Sequence, residues 1–175
     1  MTVDIKHDRI KDVMSTVAIT VAPDDTVKDA LFCMTHYHVT ALPVIDIQNR
    51  CVGILSTTDL MDPIRTADEG LDAAAKVNEQ ARLWWIDTLQ QGLLGERKVH
   101  EFMREAVMTI DREASLLDAT VAMLRHRVHH LPVVDEHQRL LGIVSTLDLL
   151  DAFVRSHTGG GSPAPSSNVR HLPSR

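Results

Sequence analysis

The sequence predicts an α+β fold in which a βαββα unit occurs twice, the copies packed as a pseudo-twofold pair with a helical insert between them. Three observations carry this. Residues 13–62 align without a gap with residues 102–151 at an offset of 89, and 18 of the 50 pairs are identical, so the chain is an internal duplication. The hydrophobic period changes in the same order within each copy. An apolar content of 44% over 175 residues is enough for one compact domain or two small lobes, whereas a copy of about 50 residues is too short to cover its own sheet.

Each copy opens with a short extended piece, Ile19 to Val21 or Met108 to Ile110. A helix follows in TVKDALFCMTHYH and SLLDATVAMLRHR. Thr26 with Asp29, and Ser115 with Asp118, have the hydroxyl-x-x-acid spacing that covers free N–H groups at a helix start. Val27, Ala30, Leu31 and Met34, like Leu116, Ala119, Thr120 and Met123, then fall on one stripe. Two apolar runs come next, ALPVIDI with CVGILS and HLPVVDE with LLGIVS. The polar turns QNR and HQR make each pair a hairpin. A second helix begins at Thr57 or Thr146.

The strongest local signal is the turn that closes each hairpin, GILSTTD at 53–59 and GIVSTLD at 142–148. Ser56 and Ser145 stand where a strand ends and a helix begins. Unpaired N–H groups and the positive end of the helix dipole stabilise an anion there. Gly53 and Gly142, three residues earlier, leave room for another group to approach the backbone. Asp59 and Asp148 lie in the first helical turn, where a carboxylate accepts hydrogen bonds from a vicinal diol such as a ribose. Each turn therefore offers a phosphate end and a ribose end, or else caps its own helix. Duplication together with the glycine and the preceding strand favours a ligand.

V-x-x-L-P-V-x-D followed by G-I-x-S-T-x-D, repeated in tandem, resembles a pair of cystathionine β-synthase (CBS) domains, the Bateman module. The resemblance covers Lys11 to Asp62 and Val99 to Phe153. It implies two clefts between the repeats, many of which in this family bind AMP, ADP, ATP or S-adenosylmethionine and regulate an attached or separate protein. Each cleft takes its S-x-x-D turn from one repeat and its adenine-facing backbone from the other. Carried over by position, one cleft uses Gly53, Ser56, Thr58 and Asp59 with Met108, Val128, His129, His130 and Pro132. The other uses Gly142, Ser145 and Asp148 with Ile19, Val39, Thr40, Ala41 and Pro43. His129 and His130 occupy positions where phosphate-contacting basic residues occur in the nucleotide-sensing subunit of AMP-activated protein kinase, while Thr40 and Ala41 are uncharged. The first cleft is therefore expected to be the stronger phosphate site, more so as pH falls. Arg125, Arg127 and Arg139 are further basic candidates without an assigned place.

Other function classes have less support. Lys plus Arg number 18 against 24 Asp plus Glu, a net charge of -6, which lacks the basic surface of a general nucleic-acid binder. No window approaches the roughly 18 apolar residues of a membrane span, and MTVDIKHDRI has no apolar leader core, so a cytoplasmic chain with no membrane partner is expected. Cys33 and Cys51 fit small buried residues rather than a disulfide or thiolate site. His126, His129 and His130, with His36 and His38, lack a carboxylate or cysteine to complete a metal set, so no metal is expected. No G-x-S-x-G, H-E-x-x-H or P-loop pattern occurs, and no catalytic residue or required cofactor is assigned.

The expected organisation is residues 1–62 as the first repeat with its N-terminal segment, 63–98 as the insert, 99–155 as the second repeat and 156–175 as a mobile tail rich in Gly, Ser and Pro. The insert is long for a loop, and from about Leu71 to Leu94 its composition favours helix. Trp84 and Trp85 within it face the core or a partner, and the helix is expected to contribute to a homodimer. The chain is thus read as a non-enzymatic regulatory module for an adenine nucleotide or adenosyl ligand that signals to a separate protein. The alternative is a dimerisation or assembly module with empty clefts.

Overall fold

The computed structural model describes residues 8–60, 92 and 95–158. The insert helix, Trp84, Trp85 and the tail lie outside the described residues.

The two copies build the same elements from the same local causes. In the first, the Thr26 side chain accepts from the Asp29 N–H at 3.1 Å and Asp29 Oδ2 accepts from the Thr26 N–H at 3.3 Å, starting helix α1, Val27–Tyr37. In the second, Ser115 and Asp118 exchange the same pair of bonds, both at 3.1 Å, and start α2, Leu116–His126. Each reciprocal cap satisfies two backbone donors that a helix end otherwise leaves free. The buried stripes are Val27, Ala30, Leu31, Cys33 and Met34 in α1 and Leu116, Ala119 and Met123 in α2. Thr120, expected on the stripe, is half-buried and turns its hydroxyl back to the Leu116 carbonyl at 2.7 Å. Both helices end in left-handed residues, His38 at φ 55° and Arg127 at φ 53°. Burial pushes the Cys33 thiol above its ordinary range, with Asp25 and Asp29 adding to the effect, so it serves as a small apolar group.

The hairpins follow as β1, Ala41–Ile45, with β2, Cys51–Ser56, and as β4, His130–Val134, with β5, Leu140–Ser145. Asn49 and Gln138, at the equivalent place in each tip, both take φ 62°. The preceding extended piece adds a parallel edge in one register in both copies: Val21 bridges Val44, and β3, Ile110–Asp111, pairs Ile110 with Val133 of β4. After β2 the chain is helical over 57–60; after β5 it forms α3, Thr146–Thr158.

The described residues group into two compact units that are not the two linear copies. Residues 8–19 and 47–51 belong with 107–158, and 20–46 and 52–60 belong with 92 and 95–106. In the unit of the second repeat, the Ile10 and Lys11 N–H groups donate to the carbonyls of Ala114 and Arg112, each at 3.0 Å, and Ser15 exchanges two backbone bonds with Ile143 at 2.9 and 3.0 Å. Ile10 is fully buried there in one apolar cluster with Met14, Leu116, Met123, Leu131 and Val144. The hairpin tip at 47–51 joins the same unit, Cys51 N–H donating to Gln138 and Leu140 N–H to Asn49, each at 2.9 Å. The unit of the first repeat is built identically from the equivalent segment: Val99 and His100 donate to Asp25 and Pro23 at 2.9 and 3.0 Å, Arg104 exchanges bonds with Ile54 at 2.9 and 3.1 Å, and Val99 is fully buried. A strap of about seven residues thus lies on the outer strand of each hairpin, satisfying backbone groups that an open edge would leave unpaired.

Candidate functional site

Each repeat's S-x-x-D turn is formed where its second hairpin strand gives way to a helix. In the first, Asp59 Oδ2 accepts from the Ser56 N–H at 2.9 Å and from the Ser56 hydroxyl, and the Asp59 N–H returns a bond to Ser56 Oγ at 3.3 Å. In the second, Asp148 Oδ2 accepts from the Ser145 N–H and hydroxyl, both at 2.6 Å, with the return bond at 3.3 Å. The serine therefore is a cap, and one carboxylate oxygen is spent on the turn. Each turn is also tied to the start of its own hairpin: the Thr57 N–H donates to the Thr40 carbonyl and the Thr146 N–H to the His129 carbonyl, each at 3.0 Å.

The other oxygen separates the two turns. Arg104 Nε donates to Asp59 Oδ1 at 2.6 Å. The equivalent of Arg104 in the other strap is Ser15, whose hydroxyl donates to the Val17 carbonyl at 3.4 Å. Among the described residues, the side-chain hydrogen bonds of Asp148 run to Ser145, and its Oδ1 has none. Asp59 is buried, 7% exposed, and Asp148 is half-buried.

Arg104 was not among the basic candidates drawn from the sequence. The signal that marks it is the alignment itself: Met14-Ser15 faces Met103-Arg104, a neutral residue against a basic one directly after a matched methionine. The three basic residues that the sequence offers lie elsewhere: Arg139 Nε donates to Asp135 at 2.7 Å in the hairpin of β4 and β5, Arg127 is the left-handed cap of α2, and Arg125 is exposed near the end of α2.

Within the second repeat, His130 lies opposite Ser145 in the register of β4 and β5, and His129 Nδ1 is 3.5 Å from the Thr146 hydroxyl. Burial, with the neighbouring His129, pulls the His130 imidazole below the ordinary histidine range, while Asp148 acts in the opposite sense. His130 thus stays neutral at a pH where an ordinary histidine begins to charge. The unfolded chain takes up a proton near pH 6.5 that the folded chain takes up only at lower pH. The contribution of His130 is therefore expected to leave stability intact above about pH 7 and to reduce it as pH drops through the window below 6.5. Urea unfolding at steps from pH 7.5 to 5.5 is expected to show a smaller acid loss for His130→Gln than for the native chain; equal slopes exclude His130 as the cause.

The remaining expected residues divide between the two units. Val39, Thr40, Ala41 and Pro43 lead into or lie in β1, with Ala41 and Pro43 buried, and Thr58 is exposed on the helical turn. Met108 and Val128 are half-buried against the apolar cluster of their unit, Pro132 is buried in β4, and Ile19 is half-buried. Gly53 and Gly142 are both approached by their strap: an added Cβ at Gly53 would meet Met103 Sδ at 2.6 Å, and one at Gly142 would collide with the Ser15 carbonyl oxygen. The absent side chain makes room chiefly for the Met103 side chain at Gly53 and for the strap backbone at Gly142.

Two α+β repeats, each ending in a serine–aspartate turn at a strand-to-helix junction, define a tandem-repeat module. The chain belongs to the CBS domain family, whose profile matches residues 10–65 and 99–155. It is 28% identical over 162 residues to the CBS domain-containing protein YhcV of Bacillus subtilis, covering 93% of this chain and 95% of that one. CBSX2 of Arabidopsis thaliana, solved in complex with AMP, is 26% identical, with a TM-score of 0.62 over 84% of this chain and 96% of that chain. The CBS domain pair of protein MJ0100, in complex with 5-methylthioadenosine and S-adenosyl-L-methionine, shares the fold at 20% identity, with a TM-score of 0.63 over 84% of this chain and 96% of that one. Among the described residues no helix is long and apolar enough to cross a membrane.

Proposed function

We propose that this protein is a non-catalytic regulatory module that binds AMP, ADP, ATP or S-adenosylmethionine through its serine–aspartate turns and relays that binding to a separate protein. The observation that carries it is the Asp148 turn: a fixed carboxylate with one oxygen held by Ser145 and the other unclaimed among the described residues, at the start of a helix whose N-terminus favours a phosphate. The AMP complex of CBSX2 at 26% identity supports an adenosine ligand. The ligand's ribose hydroxyls donate to Asp59 or Asp148. Its adenine lies against the backbone of the resemblance-assigned strand entrances, with His129 and His130 toward the phosphates. A bound nucleotide shifts the module between arrangements only by its difference in affinity for them. The module acts as a homodimer in the cytoplasm: Leu124, 75% exposed on α2, and Leu147, 73% exposed on α3, support an apolar self-contact.

Thermal unfolding with AMP, ADP, ATP and S-adenosylmethionine tests the reading. Saturable stabilisation by at least one is expected, about 2.7 kcal/mol at a hundredfold excess over Kd, lost in the double variant Asp59→Ala/Asp148→Ala. No shift with any of the four leaves an assembly module with empty clefts, which light scattering would then report as a ligand-independent dimer.

A further inference from the structure

The two turns share an S-T-x-D sequence and cap geometry, yet among the described residues only the Asp59 carboxylate has a cation on it. We infer that Arg104 is a specificity-determining residue that holds Asp59 out of ribose recognition, so that the chain has one strong adenosyl site, at Asp148, and one latent site, at Asp59. The inference rests on the adenosyl-binding reading above and deepens it, and it reverses the sequence expectation that the cleft of Asp59, with His129 and His130, is the stronger site, because that expectation left Arg104 out.

A turn aspartate can hold a ribose only through oxygen not already used by its own cap. Asp148 keeps Oδ1 for that purpose, whereas Asp59 gives its Oδ1 to the Arg104 guanidinium at 2.6 Å. The strap fixes the source of this bond: Arg104 is pinned by two backbone bonds to Ile54, five residues before Asp59, so its side chain starts beside the turn. A charge-assisted bond is roughly twice as strong as the neutral hydroxyl bond that would replace it. A diol reaching Asp59 must therefore displace the stronger partner and leave the guanidinium to water. Arg104 is 58% exposed, which moderates the penalty, and the Asp59 site is expected to be about tenfold weaker than the Asp148 site. At the equivalent place on the other strap Ser15 carries no charge; the turns also differ in the first hairpin strand, where His130 stands opposite Ser145 and its aligned residue is Ala41.

Calorimetric titration of the full chain with AMP, and with S-adenosylmethionine in parallel, provides the test. The native chain is expected to fill one strong site, with a second appearing only at about tenfold higher ligand. Asp148→Asn abolishes the strong site, whereas Asp59→Asn abolishes the weaker one. Arg104→Ser makes the two sites comparable, and the reciprocal Ser15→Arg weakens the strong one. Urea unfolding of Arg104→Ser, Asp59→Asn and the double variant keeps the ion pair visible without ligand: their effects are expected to be non-additive. Two equal sites in the native chain, additive unfolding effects, or weaker binding in Arg104→Ser, the mark of a guanidinium on the ligand's phosphate, overturns the inference and leaves the adenosyl reading intact. No binding of either ligand by the native chain or by Arg104→Ser removes both.

Discussion

Gly142→Ala is expected to lower stability by about 3 kcal/mol, or the melting temperature by about 10 °C for a chain of this size, while Gly53→Ala costs about 1 kcal/mol. The glycines are equivalent by sequence, but their neighbours are not. A Cβ at 142 meets the Ser15 carbonyl oxygen, then the Ser15 carbonyl carbon at 3.2 Å and Thr16 Cα at 3.3 Å. All three are main chain, and Ser15 is held by two backbone bonds to Ile143, at 2.9 and 3.0 Å. The methyl can be admitted only by pushing the strap off β5 and losing those bonds in a half-buried place. At position 53 the first atom met is Met103 Sδ at 2.6 Å, followed by Met103 Cγ at 3.2 Å and the Arg104 carbonyl oxygen at 3.3 Å. A thioether has three rotatable bonds and can move aside. Differential scanning calorimetry of both variants checks the contrast. A loss at Gly142 no larger than at Gly53 would mean that the strap yields as readily as a methionine side chain.

The contrast also marks how far the sequence could be read. The repeat offset, both reciprocal caps and the order of elements are legible because each depends on residues close together along the chain: Thr26 with Asp29, Ser115 with Asp118, and Ser56 with Asp59 are three apart and act through local backbone geometry. The positive φ of Asn49 and Gln138 is likewise a local property of a tight tip. The strap is not of this kind. MTVDIKHDRIKDVM has neither a strand alternation nor a helical stripe long enough to announce itself, and its partners lie about 100 residues away, as in Ile10 with Ala114 and Ser15 with Ile143. The site shows the same division. The serine–aspartate turns stand out as a motif, but whether the second carboxylate oxygen is engaged depends on a residue 45 positions on, Arg104. The downward shift of the His130 imidazole comes first from burial, which the fold sets, with His129 adding to it and Asp148 opposing it.

Ile10→Ala is expected to cost about 3 to 4 kcal/mol, the upper part of the range for removing a fully buried branched aliphatic side chain. Ile10 is fully buried although it sits in a short 3-10 turn, Ile10–Asp12, outside the helices and hairpins. Its neighbours in the apolar cluster come from α2 (Leu116, Met123), β4 (Leu131) and β5 (Val144). Truncation opens a cavity bounded by regular elements, which cannot collapse into it without breaking the β4 and β5 ladder, so the larger cavity cost applies. Against a total stability of about 5 to 15 kcal/mol, this is enough to populate the unfolded chain under mild denaturant. Chemical unfolding measures the loss directly, and Val99→Ala, the equivalent truncation in the other strap, is the natural partner experiment because Val99 is also fully buried. The Ile10 variant should lose more, since isoleucine removes one methylene more than valine, about 0.8 kcal/mol. A loss below about 1 kcal/mol at Ile10 would place the side chain at a yielding surface and make the strap an accessory. A loss in the expected range makes the N-terminal segment a structural part of the second repeat's unit, and with it the strap that brings Ser15 rather than an arginine to the Asp148 turn.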